Sequence, residues 1–166
     1  MSESCIAAAD STDLETVRAL FREYASRLDF SLEYQGFERE LATLPGRYAP
    51  PRGCILLARR AGAAEGCVAL REIQIAGEAG PICEMKRLYL RPSARGRGLG
   101  RRLCEELIAR AAAMGYAKMK LDTSSDMHAA VALYEGLGFR PCAKYNDDPM
   151  ECTLYFELSL QRGARG

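Results

Sequence analysis

Between Ile82 and Met114 the chain carries a strand, a glycine-rich turn and a helix in immediate succession. This order restricts the fold more than any other feature. Ile82 to Leu90 is apolar and β-prone, and it stops before Pro92. From Gly96 the period changes. Leu99, Leu103, Leu107, Ala111 and Met114 line one helical face, and Gly115 is a good helix-ending residue. A short strand, Met119 to Thr123, follows. Strand, helix and strand at this spacing predict one parallel βαβ unit, which requires a sheet with a covered face.

The flanking segments read differently. Cys5 to Ala9 is a short first strand. Asp10, Ser11, Thr12 and Asp13 offer helix caps before Leu14, Val17, Phe21, Tyr24 and Leu28, which recur at helical spacing. Tyr34, Phe37, Leu41 and Leu44 predict a second short helix, ended by Pro45-Gly46. Cys54 to Arg59 and Gly66 to Ile75 read as strands. Asp126 to Leu137 reads as a helix stopped by Gly138, and strands from Phe139 and over Thr153 to Leu160 close the chain. Outside the βαβ unit these segments predict antiparallel meander. The expected fold class is α/β in the mixed α+β sense: a central, mostly antiparallel sheet of six to seven strands with helices on both faces.

The 166 residues fit one domain, 1–166, with about 82–139 as its binding core and 161–166 as a frayed tail. Lys plus Arg is 23 against 22 for Asp plus Glu, a balance that argues against a general polyanion binder. The seven cysteines are dispersed without a CxxC, and there is a single histidine, His128. A metal site of ordinary Cys/His spacing is therefore not expected, and the cysteines read mostly as small buried apolar residues in a reducing, cytoplasmic setting. There is no basic segment leading into an apolar run at the start, and no apolar run approaches the roughly 20 residues that span a bilayer, so no membrane association is expected.

The chemistry is concentrated at Arg95-Gly-Arg-Gly-Leu-Gly100. Glycines 96, 98 and 100 bare the backbone where a helix begins, so N–H groups and the helix dipole converge on an anion, and Arg95, Arg97, Arg101 and Arg102 add charge. This predicts a diphosphate site. A nucleoside triphosphate loop would end Gly-Lys-Ser/Thr, but Arg101 and Arg102 follow Gly100 here. A dinucleotide fingerprint would need its third glycine one residue later and would follow the first strand.

The loop instead resembles that of the GNAT superfamily of N-acetyltransferases, Arg/Gln-x-x-Gly-x-Gly/Ala, matched by Arg95 to Gly100 between a strand and a helix. A second phrase of that family, Leu-Tyr-Glu-x-Leu-Gly-Phe, is matched by Leu133 to Phe139 in the right order and on the right element. The wording around Met85-Lys-Arg-Leu-Tyr-Leu-Arg-Pro92 is most similar to a small bacterial subgroup.

The resemblance implies an acyltransferase using acetyl-CoA as cosubstrate, without a metal, and direct attack by an amine in a ternary complex. By the same resemblance Arg95, Gly96, Arg97, Gly98, Leu99, Gly100 and Arg101 hold the pyrophosphate, and Leu88, Tyr89 and Leu90 supply a backbone edge along which pantetheine lies. One N–H of that edge would meet the thioester carbonyl. Tyr134 is the expected general acid for the leaving thiolate, and Glu84 the expected general base, acting through water. Strand alternation puts Glu84 on the same side as Leu88, four residues on. His128 is read as structural, Cys83 and Cys104 as buried and unreactive, and Met127 stands where relatives often carry an asparagine.

The acceptor, a small-molecule or peptide amine, would contact about Phe30 to Phe37 and Tyr145 to Pro149, where Asp29, Glu33, Asp147 and Asp148 can attract a cation. Within the same chemistry the acyl group can be other than acetyl, and two readings outside it compete. One is a non-catalytic acyl-CoA sensor. The other is nucleic-acid binding through Arg91, Arg95, Arg97, Arg101 and Arg102, which lacks interleaved aromatics apart from Tyr89. No nucleic-acid partner is therefore expected, and the resemblance, many of whose members are dimers, leaves a homodimer open.

Overall fold

A computed structural model describes residues 3–160. The expected frayed tail, 161–166, lies outside them. The chain runs β1 (Cys5–Ala8), α1 (Leu14–Ser26), α2 (Phe37–Ala42), β2 (Cys54–Arg60), β3 (Ala63–Ile73), β4 (Ile82–Leu90), α3 (Leu99–Ala113), β5 (Lys118–Ser124), α4 (His128–Gly136), β6 (Arg140–Pro141) and β7 (Thr153–Ser159). The seven strands form one sheet in the order β1-β2-β3-β4-β5-β7-β6. Every pairing is antiparallel except β4 with β5, the predicted βαβ unit. The meander expectation fails at the end of the chain. β7 inserts between β5 and β6, and β6 shrinks to two residues at the edge, where Pro141 has no N–H to give a further ladder.

Each face of the sheet has its own core. On one, Leu99, Leu103, Leu107 and Ala111 of α3 bury the predicted stripe against Met85, Met119 and Leu121. Tyr134 of α4 joins this core and packs edge-on against Phe139 at 5.9 Å between ring centres. On the other face, Val17, Leu20 and Phe21 of α1 and Phe37 and Leu41 of α2 cover Ile55, Leu57 and Cys67. Burying side chains of this kind contributes roughly 1.5–3 kcal/mol each, which makes the two helical layers the main hold on the sheet. The predicted second helix is broken in two. Gly36 adopts φ 68°, ends a 3-10 turn at Glu33–Gln35 and starts α2 at Phe37.

Two irregularities of β4 set up the site. First, β4 and β5 pair only over Ile82–Glu84 and Lys118–Lys120 and then diverge, although β4 continues to Leu90 and β5 to Ser124. The backbone edge of the outer half of β4 is thereby left without a strand partner on that side. Second, β4 bulges against β3. Ala69 pairs with Lys86 and Cys67 with Tyr89, so Arg87 and Leu88 together oppose Val68. Arg87 takes φ 63°, outside the region that side chains favour. The bulge reverses the alternation. Lys86 and Arg87 both turn to the α1/α2 face, while Leu88 and Leu90 pack with the α3/α4 core. Glu84 lies on the α1/α2 side, bonded to Arg71 and Tyr145. The expectation that Glu84 and Leu88 share a side is therefore corrected: an extra residue at the bulge changes the parity.

Candidate functional site

The glycine-rich turn follows Pro92–Ala94, a single 3-10 turn after β4. Gly96 and Gly98 adopt φ 79° and 76°, a conformation open to glycine and costly for a side chain. Gly98 caps α3, so the free N–H groups of the first helical turn point out of the turn. Gly100 is different. Its φ is ordinary, and a Cβ there would meet Leu90 and Leu133 side chains at 3.5 and 3.7 Å, in normal contact. The turn needs glycine at 98 and only a small residue at 100, which is the pattern Gly-x-Gly/Ala, and the positive φ at 96 adds a glycine at a position that pattern leaves open.

A cavity of about 630 Å³ opens beside this turn. Leu88, Tyr89, Leu90, Arg95, Gly96 and Gly100 form one wall, and Ser124, His128, Ala130 and Leu133 from the end of β5 and the start of α4 form a second. Tyr24, Leu28 and Phe30, at the end of α1 and beyond it, form a third. Leu88 and Tyr24 pack in the cores on opposite faces of the sheet, so the cavity occupies the split between β4 and β5. Its volume is that of an ordinary small-ligand site.

The structure brings Leu88, Tyr89, Leu90, Arg95, Gly96 and Gly100 onto this cavity, while Arg97, Gly98, Leu99, Arg101, Tyr134 and Glu84 are not on its walls. Leu99 is buried core. The arginines fan outward. Arg95 donates to the Leu90 carbonyl and lies over the Tyr89 ring, Arg97 pairs with Glu65 at 2.9 Å, and Arg101 pairs with Glu105 at 2.8 Å. Arg91 pairs with Glu23 at 2.8 Å. Three of the five arginines in the candidate basic patch are thus tied to carboxylates.

Tyr134 is 7% exposed, and its hydroxyl has no hydrogen-bond partner among the described residues. Burial raises its proton affinity well above the ordinary phenol range, and the charges of Cys104, Tyr24 and Asp122 act in the same direction. Tyr24 and Asp122 belong to the other face of the sheet, so their charges act on Tyr134 across it. Cys104, in the same core, has its thiol pushed up to about 12 by burial. Cys83 is buried with its thiol likewise pushed up. These two behave as read from the sequence. Cys5 and Cys152, by contrast, are exposed.

Glu84 is 2% exposed and fully engaged. Arg71 Nε donates to its Oε1 at 2.8 Å and Tyr145 Oη donates to its Oε2 at 2.6 Å. Burial opposes its ionisation, but Lys86, Arg71 and the Tyr145 hydroxyl outweigh that and hold the carboxyl below the usual range. Asp122 is its opposite. It lies on β5 two residues past the last pairing with β4, and it accepts a 2.6 Å hydrogen bond from Asn146 Nδ2. Burial raises its proton affinity, Lys86 works against that rise, and the charge of Glu84 adds to it. Sequence reasoning passed over Asp122. The available signal was a carboxylate in a strand whose alternating neighbours Met119 and Leu121 are core residues.

The chain matches the model of the Acetyltransferase (GNAT) family over residues 14–139. It belongs to that family. An uncharacterised N-acetyltransferase of Schizosaccharomyces pombe is 38% identical over 151 residues, covering 90% of each chain. The IAA acetyltransferase of Azospirillum brasilense is 36% identical over 115 residues, covering 68% of this chain and 71% of that one. Among solved structures, a GNAT acetyltransferase from Staphylococcus aureus superposes with a TM-score of 0.74 at 15% identity, covering 96% of this chain and all of its own. YncA of Salmonella typhimurium, solved with its cofactor acetyl-CoA, superposes with a TM-score of 0.71 at 20% identity, covering 99% and 98%. This GNAT chain is thus an acyltransferase with the mixed, mostly antiparallel sheet expected of it. No helix among its described residues is long and apolar enough to cross a membrane.

Proposed function

We propose that this enzyme transfers the acetyl group of acetyl-CoA to a primary amine of a small molecule or peptide, by direct attack in a ternary complex. The observation that carries the reading is the cavity through the β4/β5 split. It offers a glycine-rich, positively charged end, a bare strand edge and access from both faces of the sheet. The turn fits a pyrophosphate: Gly96 and Gly98 leave room for close approach, and the α3 N-terminus and Arg95 favour negative charge. Acetyl-CoA supplies an acyl group activated by a thiolate leaving group. The fold of its YncA neighbour, solved with acetyl-CoA, supports the same ligand here.

The outer edge of β4, Leu88 to Leu90, binds the pantetheine arm by strand-like hydrogen bonding, and one N–H there polarises the thioester carbonyl. Tyr134 donates a proton to the thiolate. A phenol of raised proton affinity suits that role in this setting, because the same burial pushes the neighbouring Cys104 thiol up as well, and a bare thiolate released there needs a proton. On the amine side the two carboxylates divide the work. Glu84 stays ionised in the grip of Arg71 and Tyr145 and keeps the local potential negative, and Asp122, whose affinity is raised, receives the proton of the attacking amine. Glu84 thus acts as a positioning and electrostatic partner of the base.

The test is thermal unfolding with acetyl-CoA, NADH, ATP and a short RNA, followed by free-thiol release with a panel of amines. A melting temperature raised by acetyl-CoA alone, with turnover on at least one amine, is the expected result. Stabilisation by RNA with none by acetyl-CoA would overturn the reading. Binding without turnover, unaffected by Tyr134→Phe, would make the chain a sensor.

A further inference from the structure

A second cavity lies on the α1/α2 side of the sheet, between the 3-10 turn at Gly46–Tyr48 and the ends of β3 and β4. It is small, about 170 Å³, and it is lined by Arg47, Arg71, Gln74, Glu84, Tyr145 and Asn146 among others. That is well under the roughly 300–1,000 Å³ of a whole small-ligand site, so it accommodates one end of a ligand.

Its charge is unbalanced. Two guanidinium groups face it and one carboxylate lines it, and that carboxylate, Glu84, is saturated by Arg71 and Tyr145. Arg47 donates to the Glu72 carbonyl at 2.8 Å and has no ion-pair partner among the described residues. Burial lowers its proton affinity, and the like charge of Arg71 lowers it further. Arg71 is committed to Glu84, with its Nε and Nη2 both 2.8 Å from Oε1, so the uncompensated charge at this small opening is that of Arg47, whose guanidinium keeps further N–H donors for a carboxylate. Asn146 and Gln74 add neutral polar contacts. Asn146 also joins this cavity to the reaction side, because its Nδ2 donates to Asp122.

The geometry points to an acceptor that carries a carboxylate: an amino acid, or a molecule with an amino-acid end. Its carboxylate lies on Arg47, beside the Arg71–Glu84 pair, and its amine lies toward Asp122. This inference rests on the acetyltransfer reading for the amine, while the anion site itself can be tested apart from turnover.

Free-thiol release from acetyl-CoA is measured with a panel of amino acids, their primary amides and the corresponding decarboxylated amines, on wild type and Arg47→Gln. The acids are expected to have KM values at least about tenfold lower than the amides, and Arg47→Gln is expected to erase that difference by raising KM for the acids alone, with the KM for acetyl-CoA unchanged. Equal KM values for acids and amides overturn the proposal, and so does an Arg47→Gln effect that is the same for both. In parallel, thermal shifts with N-acetylalanine and N-acetylalaninamide, both with coenzyme A present, read the site directly. Stabilisation by the acid but not the amide, lost in Arg47→Gln, supports the site whether or not turnover is seen. No acid-specific, Arg47-dependent shift overturns it. A phosphonate analogue that stabilises where the carboxylate does not would overturn the carboxylate assignment in favour of a phosphorylated acceptor. Failure of acetyl-CoA itself to stabilise the protein would count against the acetyltransferase reading and leave the anion site to be judged on the N-acetylalanine arm.

Discussion

The Arg87 guanidinium grips both oxygens of Glu40, at 3.0 and 3.1 Å, from a strand position with φ 63°. Its Nη2 also donates to Gln35 Oε1 at 3.0 Å, and the group lies over the rings of Tyr24 and Phe37. The unfavourable backbone angle is therefore held by a side chain anchored in four neighbours, and the bulge that shapes the split depends on it. With Arg87 only 2% exposed, Arg87→Ala leaves the partly buried Glu40 carboxylate without its counter-charge, held only by the Tyr48 hydroxyl at 3.0 Å. A loss of about 3–5 kcal/mol is expected, read from the denaturant midpoint. Glu40→Ala should cost a similar amount, and the double variant less than the sum of the two.

The glycine-rich turn separates conformational need from space. Gly98→Ala forces a side chain into φ 76° and should cost about 1–2 kcal/mol while raising the KM for acetyl-CoA about tenfold. Gly100→Ala meets only ordinary contacts and sits inside α3, so stability should stay within about 0.5 kcal/mol and KM within about twofold. Equal effects at both positions would remove the backbone-based account of the turn.

The parallel unit and the loop were legible because their signals are local. A run of β-prone residues, three glycines and a stripe at helical spacing each act within a few residues. The α3 stripe of Leu99, Leu103, Leu107 and Ala111 is buried as its spacing predicts. The sheet's split, the bulge at Arg87 and the insertion of β7 beside β5 were not legible. They depend on pairing between segments far apart in sequence, and no residue type announces them. Reading Glu84 by parity failed for that reason, since one extra residue at a bulge turns every later side chain over. Asp122 was missed because its surroundings, Asn146, Lys86 and Glu84, come from two other parts of the chain.

Tyr134→Phe keeps the ring packed on Phe139 and removes only the hydroxyl, which has no partner among the described residues to leave unsatisfied. The melting temperature should therefore hardly move, and the KM for acetyl-CoA should stay within about twofold. The turnover rate should fall about 10²–10⁴-fold, the usual worth of a positioned proton donor. Because the phenol is held well above its ordinary range, wild type should show no loss of rate from its ionisation up to pH 10. A fall in rate no larger than about twofold in Tyr134→Phe would exclude it as the acid.

Asp122 and Glu84 should respond oppositely to loss of charge, because their proton affinities are shifted in opposite directions. Glu84 is held below the usual carboxylate range, so its ionisation stabilises the fold at pH values above the unfolded carboxyl's titration, and that contribution fades as pH falls through the lower folded value. Glu84→Gln at pH 7 should therefore lower the melting temperature and leave Arg71 without its carboxylate. Asp122 is shifted upward by burial, so the folded state prefers it protonated, and that preference is lost as pH rises through the raised folded value. Asp122→Asn at pH 7 removes the cost of a buried charge, keeps an oxygen for the Asn146 amide, and should raise the melting temperature. Activity should move the other way. Only ionised Asp122 accepts the amine's proton, so the acidic limb of kcat/KM in wild type should lie above the ordinary carboxylate range. Asp122→Asn should lower the rate about 10²–10⁴-fold and erase that limb, whereas Glu84→Gln should keep a limb but shift it to lower pH, because the charge of Glu84 helps to raise Asp122. Retention of the wild-type limb in Asp122→Asn, with its loss in Glu84→Gln, would move the base back to Glu84.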